Sequence, residues 1–137
     1  MKTLIVEDDF ISRRVLQTFL APYGACEVAI NGNEGIEAFV LAHEEKEPYD
    51  LICLDIMMPG IVGLEVLEKI RDYEKEHGIT SFDGVKIIMT TALSGYEDIK
   101  RAFKGQCESY MIKPIIKEKL IATLDGLGLI EGRDKLD

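Results

Sequence analysis

No apolar run in this chain approaches the roughly 20 residues that cross a bilayer, so no membrane-spanning helix is expected. Basic charge is also scarce. Lys and Arg number 16 against 25 Asp and Glu, a formal net charge of −9, with no basic stripe. That balance argues against direct nucleic-acid binding. Cysteines number three, an odd count without metal-type spacing. Cys26, Cys53 and Cys107 lie in or beside apolar runs, which predicts reduced, buried thiols of a cytoplasmic protein. Met1-Lys2 leads straight into Thr3-Leu4-Ile5-Val6-Glu7, so no signal-peptide pattern is expected. A Gly-rich phosphate loop is missing too, which argues against binding a whole nucleotide.

What is present is an ordinary globular balance over 137 residues: 47% apolar and 30% charged. This length predicts one domain with a modest core. Short apolar runs alternate with amphipathic stretches. The strand-like runs are Thr3–Val6, Cys26–Ile30, Leu51–Leu54, Val85–Thr90 and Ser109–Ile112. Helical periodicity falls over roughly 10–21, 34–46, 64–76, 96–104 and 117–126. Five β-α units predict an α/β fold, a doubly wound parallel sheet with helices on both faces. Right-handed crossovers restrict its strand order to a few choices. The domain is expected to span 1–126, with a short C-terminal tail over 127–137. His77–Gly84 reads as a long polar loop, and the runs Glu44–Glu47 and Asp72–Glu76 as solvated helix ends. His43 and His77 read as solvated surface histidines, and Met57 and Met58 as loop packing.

Leu51-Ile52-Cys53-Leu54 stops at a single carboxylate, Asp55, before a Pro-Gly loop. Three other runs also end in polar groups: Glu7-Asp8-Asp9, Thr90-Thr91 and Lys113-Pro114. A parallel sheet brings all these ends to one edge, where ligands of such sheets bind. Several carboxylates, a hydroxyl and an ammonium then share one place. Like charges so close together are unfavourable unless a cation joins them. Magnesium suits such a site, being hard and oxygen-seeking and content with few carboxylates. A carboxylate beside it can attack phosphorus and form an aspartyl phosphate, with Lys113 and a hydroxyl offsetting phosphoryl charge.

These residues resemble the receiver domains of two-component response regulators. The resemblance runs from Leu4 to about Leu124. It rests on Val6-Glu7-Asp8-Asp9, on Asp55-Ile56-Met57-Met58-Pro59 with Gly63, on Thr91-Ala92, and on Tyr110-Met111-Ile112-Lys113-Pro114. It implies the flavodoxin-like, CheY-like sheet of five strands in order 2-1-3-4-5. It also implies phosphorylation of Asp55 by a histidine kinase or a phosphotransfer protein. Magnesium (or manganese) would be held by Asp8 and Asp55 directly, by Glu7 through a water, and by the backbone carbonyl of Met57. Thr91 matches the switch hydroxyl, because Ala92 follows it and leaves room for a phosphoryl group. Thr90 alternates to the opposite side of its strand. Lys113 would pair with the phosphoryl group, and its bond to Pro114 would be cis. Tyr110 matches an aromatic that swings inward on activation. Asp9, one place after the acidic pair, reads as the cap of the first helix.

The resemblance thus implies a stand-alone, phosphorylation-controlled binding module rather than an enzyme. Phosphorylation would change a surface built from the fourth helix, fifth strand and fifth helix, altering affinity for a downstream protein. The same face could form a homodimer. A magnesium-dependent phosphatase with an aspartyl nucleophile is the enzyme alternative, but such enzymes usually carry a second Asp where this chain has Met57. A binding module that works without phosphorylation is the other. Three departures from the family pattern stand out. Ile61-Val62-Gly63 replaces Met-Asp-Gly and makes the loop more apolar. The interval from Asp55 to Thr91 is long, with the excess in His77–Gly84. Gln106 occupies a place where glycine is common, which predicts a turn shifted by one residue toward Gly105. Met57 and Leu93 lie two places after Asp55 and Thr91, and neither can orient water, which predicts a long-lived phosphorylated state.

Overall fold

The computed structural model describes residues 1–58, 60–80, 82–92 and 96–131, with Tyr96 described for its backbone only. Five strands are present: β1 (Thr3–Val6), β2 (Cys26–Ala29), β3 (Leu51–Asp55), β4 (Lys86–Thr91) and β5 (Ser109–Ile112). They form one sheet in the order β2-β1-β3-β4-β5, and every pair is parallel. The helices are α1 (Phe10–Leu20), α2 (Gly32–Glu44), α3 (Gly63–Glu76), α4 (Tyr96–Lys104) and α5 (Lys117–Gly126).

The apolar runs are continuous because the sheet is covered on both faces. Leu4, Val6, Ile52, Leu54, Ile87 and Met89 face one core with Phe39, Leu64, Leu67 and Ala102 from α2, α3 and α4. Ile5, Leu51, Cys53 and Ile88 face the other, with Leu16 and Leu20 from α1 and Leu120, Ile121 and Leu124 from α5. Strand alternation therefore assigns every residue of the sheet to a side. Each Leu or Ile wholly withdrawn from water there contributes roughly 1.5–3 kcal/mol. Leu127, Leu129 and Ile130 pack on the second core beyond the end of α5.

Helix boundaries follow local chemistry. Asp9 caps α1, its side chain accepting from the Ser12 amide. Asn31 caps α2 by accepting from the Glu34 amide, while Glu34 reaches back to the Ile30 amide. This reciprocal pattern starts α2 at Gly32, two residues before the periodicity does. Lys46, at φ 60°, ends the segment.

Several sequence expectations change. The turn before β5 is not displaced toward Gly105: Gln106 itself takes φ 72°. Its carbonyl accepts two hydrogen bonds from Arg71, which holds that conformation in place. The run Asp72–Glu76 is not wholly solvated. Glu74 is 2% exposed, ion-paired to Arg71 at 2.7 Å and accepting from the Val85 amide at 2.8 Å. Arg71 also pairs with Glu108, whose carboxylate accepts from the Ile87 amide. One guanidinium thus ties α3, the entry to β4 and the turn into β5. His43 is half-buried rather than solvated and meets the Phe39 ring edge-on at 4.7 Å, whereas His77 is exposed as expected and stacks on Tyr73 at 4.0 Å. Met58 belongs to the core, whereas Met57 is 55% exposed. All three cysteines are free; Cys53 and Cys107 are buried and Cys26 is half-buried.

Candidate functional site

The carboxyl ends of β1, β3 and β5 converge on one side of the sheet. The ladder continues past β1 through the Glu7 amide to the Ala29 carbonyl, and past β5 through the Lys113 amide to the Thr91 carbonyl. Alternation then sets Glu7, Asp55 and Lys113 on the face covered by α1 and α5. Glu7 and Asp55 are buried and Asp8 is exposed, yet one carboxylate oxygen from each lies within 4.8 Å of the others. The Lys113 ammonium donates to Glu7 Oε1 and, at 3.3 Å, to Asp55 Oδ2. The peptide bond from Lys113 to Pro114 is cis.

Electrostatics follow from this crowding. Burial, with the carboxyl of Asp55 hydrogen-bonded beside it, pushes Glu7 up to about 7, against the opposing pull of Lys113. Burial alone would lower Lys113, but the bond to Glu7 and the charges of Asp55 and Glu7 outweigh it and hold the ammonium above its ordinary value. The bond from Ser12 keeps Asp9 below the ordinary carboxylate range. Asp9 thus faces its helix rather than the carboxylate group.

Three backbone contacts fix the acids. Arg13, on the second turn of α1, donates to the carbonyls of Glu7 and Asp8 at 3.0 and 3.3 Å. Gly63 opens α3 directly against β3: a Cβ there would stand 2.1 Å from the Asp55 carbonyl oxygen. Only a residue without a side chain lets the helix approach so closely. The Met57 amide donates to Asp55 Oδ1 at 3.2 Å, holding the carboxylate from the loop side. Arg13 is a contact that sequence reasoning missed; its signal was an arginine one turn into a helix that begins at the acidic group. Gly63 was visible in the sequence, but not what it touches.

Thr91 and Tyr110 lie on the opposite face of the sheet from Asp55, at the same edge. Their side chains share a hydrogen bond, and burial raises the Tyr110 hydroxyl above its ordinary value. Tyr110 is half-buried against the core of α2, α3 and α4. Ala92 is exposed at the rim. Leu93 and Pro59 fall outside the described residues.

The oxygen-only donor set of Glu7, Asp8 and Asp55 fits a hard divalent cation. Among the described residues, no helix is long and apolar enough to cross a membrane.

Residues 3–125 match the family described as response regulator receiver domain. The chain is 32% identical over 124 residues to the transcriptional regulatory protein CitT of Halalkalibacterium halodurans; the match covers 90% of this chain and 50% of that protein. The chain thus spans about half the length of that relative. It is 32% identical to a chemotaxis protein CheY homologue of Campylobacter jejuni, over 96% of this chain and 98% of that one. A CheY-like response regulator receiver domain protein from Methanospirillum hungatei has a similar solved structure, with a TM-score of 0.72 and 27% identity. That similarity covers 98% of this chain and 97% of the other.

Proposed function

Since this chain belongs to the response regulator receiver domain family of two-component signalling, we propose that Asp55 is its phosphoacceptor and that phosphorylation switches its affinity for a protein partner. The observation that carries this reading is the joint reach of Lys113 and the acid group onto Asp55. The donor is a phosphohistidine on a histidine kinase or phosphotransfer protein. One Asp55 oxygen attacks phosphorus, the new P–O bond forms as the P–N bond to the donor imidazole breaks, and the imidazole leaves with the electron pair.

The chain's own groups prepare that step. Asp8 and Asp55, the backbone carbonyl of Met57, and Glu7 through a water would hold magnesium or manganese. The bound cation supplies positive charge beside the phosphoryl oxygens and relieves the repulsion among the carboxylates. Lys113 turns from Glu7 toward the phosphoryl group and offsets its remaining charge. The methyl of Ala92 leaves room at the rim.

Thr91 supplies the switch. Its hydroxyl is engaged by Tyr110 in this structure. Turning to a phosphoryl oxygen releases Tyr110, which repositions on the face formed by α4, β5 and α5. Output is then a population shift of that face toward a binding-competent form, read by a downstream protein or by a second copy of the chain. The setting is the cytoplasm.

The test is transfer from a phosphorylated donor. Radiolabel on the histidine of a purified phosphotransfer protein should move to the wild-type chain when magnesium is present. With Asp55→Asn the label should stay on the donor. Equal transfer to both proteins would place the acceptor elsewhere.

A further inference from the structure

Thr90 carries a hydroxyl that the arrangement around Asp55 does not yet use. It is 1% exposed, and its Oγ1 has no hydrogen-bond partner among the described residues. Buried hydroxyls are ordinarily paired. The Thr3 hydroxyl is also unpaired, but it stands at the other end of the sheet, away from the acid group.

The register locates Thr90 closely. It pairs with Asp55 on β3 and with Met111 on β5. Ile88, two residues earlier, faces the core of α1 and α5 together with Cys53 and Ile5. Thr90 therefore shares a face with Asp55, Glu7 and Lys113, the face opposite Thr91. Lys113 rises from the end of β5, whereas its ammonium reaches carboxylates on β3 and β1. Its side chain must cross β4, which lies between them. On this face β4 presents one side chain level with Asp55 near that path, the hydroxyl of Thr90.

We propose that Thr90 is a positioning residue for Lys113, its hydroxyl accepting a hydrogen bond from the ammonium once Lys113 turns from Glu7 toward a phosphoryl group on Asp55. This inference rests on the proposed role of Asp55. An ammonium has three donors and no acceptor. When Glu7 is taken up with the cation, one donor loses its carboxylate. Thr90 offers a neutral oxygen on the same face, which holds the ammonium without competing for it as a third carboxylate would. Lys113 is then aimed at the phosphoryl group rather than along the edge toward Glu7.

Phosphorylation by acetyl phosphate at saturating magnesium tests this with Thr90→Val, Thr90→Ser and Asp55→Asn. Thr90→Val keeps the shape and removes the hydroxyl. It should slow phosphorylation by about tenfold, the effect of one hydrogen bond to a charged group. Thr90→Ser should stay within about twofold of wild type on the same grounds. The thermal midpoint of unphosphorylated Thr90→Val should not fall below wild type, because the hydroxyl is unpaired there. Equal rates for Thr90→Val and wild type overturn the proposal. So does equal slowing in both Thr90 variants, which would mark Thr90 as packing alone. If wild type takes up no phosphoryl group, or Asp55→Asn takes up as much, the reading of Asp55 fails and this inference with it. Labelling of wild type but not of Asp55→Asn leaves the Thr90 comparison to stand or fall by itself.

Discussion

The Lys113 ammonium holds Glu7 and Asp55 together, donating to Glu7 Oε1 and, at 3.3 Å, to Asp55 Oδ2. Without it, two buried carboxylates would face each other unaided. Lys113→Met should therefore destabilise the metal-free protein, lowering its thermal midpoint by several degrees at roughly 4 °C per kcal/mol. Magnesium should then raise the midpoint of the variant more than that of wild type, because the cation replaces the lost charge. Differential scanning calorimetry with and without magnesium reads both. A variant that melts like wild type and responds no more to magnesium would contradict the bridging role.

Arg71 should matter to stability and not to the chemistry. It satisfies Glu74, Glu108, Val85 and Gln106 from one side chain. Arg71→Met strands two carboxylates, one of them 2% exposed. The expected loss is about 3–5 kcal/mol, as for other broken buried pairs. Urea unfolding measures it. Because Arg71 sits at the far edge of the sheet from Asp55, phosphorylation of the folded variant should proceed as in wild type.

The two aromatic rings packed against His43, Phe39 and Tyr73, should give a pH dependence. Burial holds His43 below its ordinary value of 6.5, with Glu74 opposing and His77 assisting. A histidine depressed in the folded state binds its proton more readily when unfolded. The stability it contributes is thus complete above 6.5 and is lost as pH falls through its lowered folded-state value. Urea midpoints should decline over that window, and His43→Gln should flatten the decline. An unchanged slope in the variant would assign the pH dependence to other groups.

Much of this was legible in the sequence because the sheet is buried on both sides. Continuous apolar runs marked all five strands to within one residue at either end, and the polar groups after them marked the functional edge. The sheet order came from the family resemblance rather than from periodicity. Contacts between side chains distant in sequence were not legible. Glu74 looked like one charge in a wet helix end, and only the fold brings Arg71, Val85 and Glu108 to it. Gln106 looked like a misplaced glycine site, but two bonds from Arg71 hold its left-handed conformation. The start of α2 was misplaced because its capping pair, Asn31 and Glu34, outweighs an apolar pattern that begins later.

Met57 bears on the lifetime of the phosphorylated state. It is 55% exposed beside Asp55 and has no group that orients water. The phosphoryl group should persist well beyond seconds, and Met57→Asn should shorten its life by giving water a hydrogen-bond partner. Loss of label from wild type within seconds would contradict this.

Intact-protein mass after incubation with acetyl phosphate tests the central claim most directly. The expected result is one added phosphoryl group on wild type with magnesium, and none on Asp55→Asn or when the metal is chelated. An unmodified wild type, or a phosphoryl group carried equally by Asp55→Asn, would contradict Asp55 as the phosphoacceptor of a cation-assisted switch.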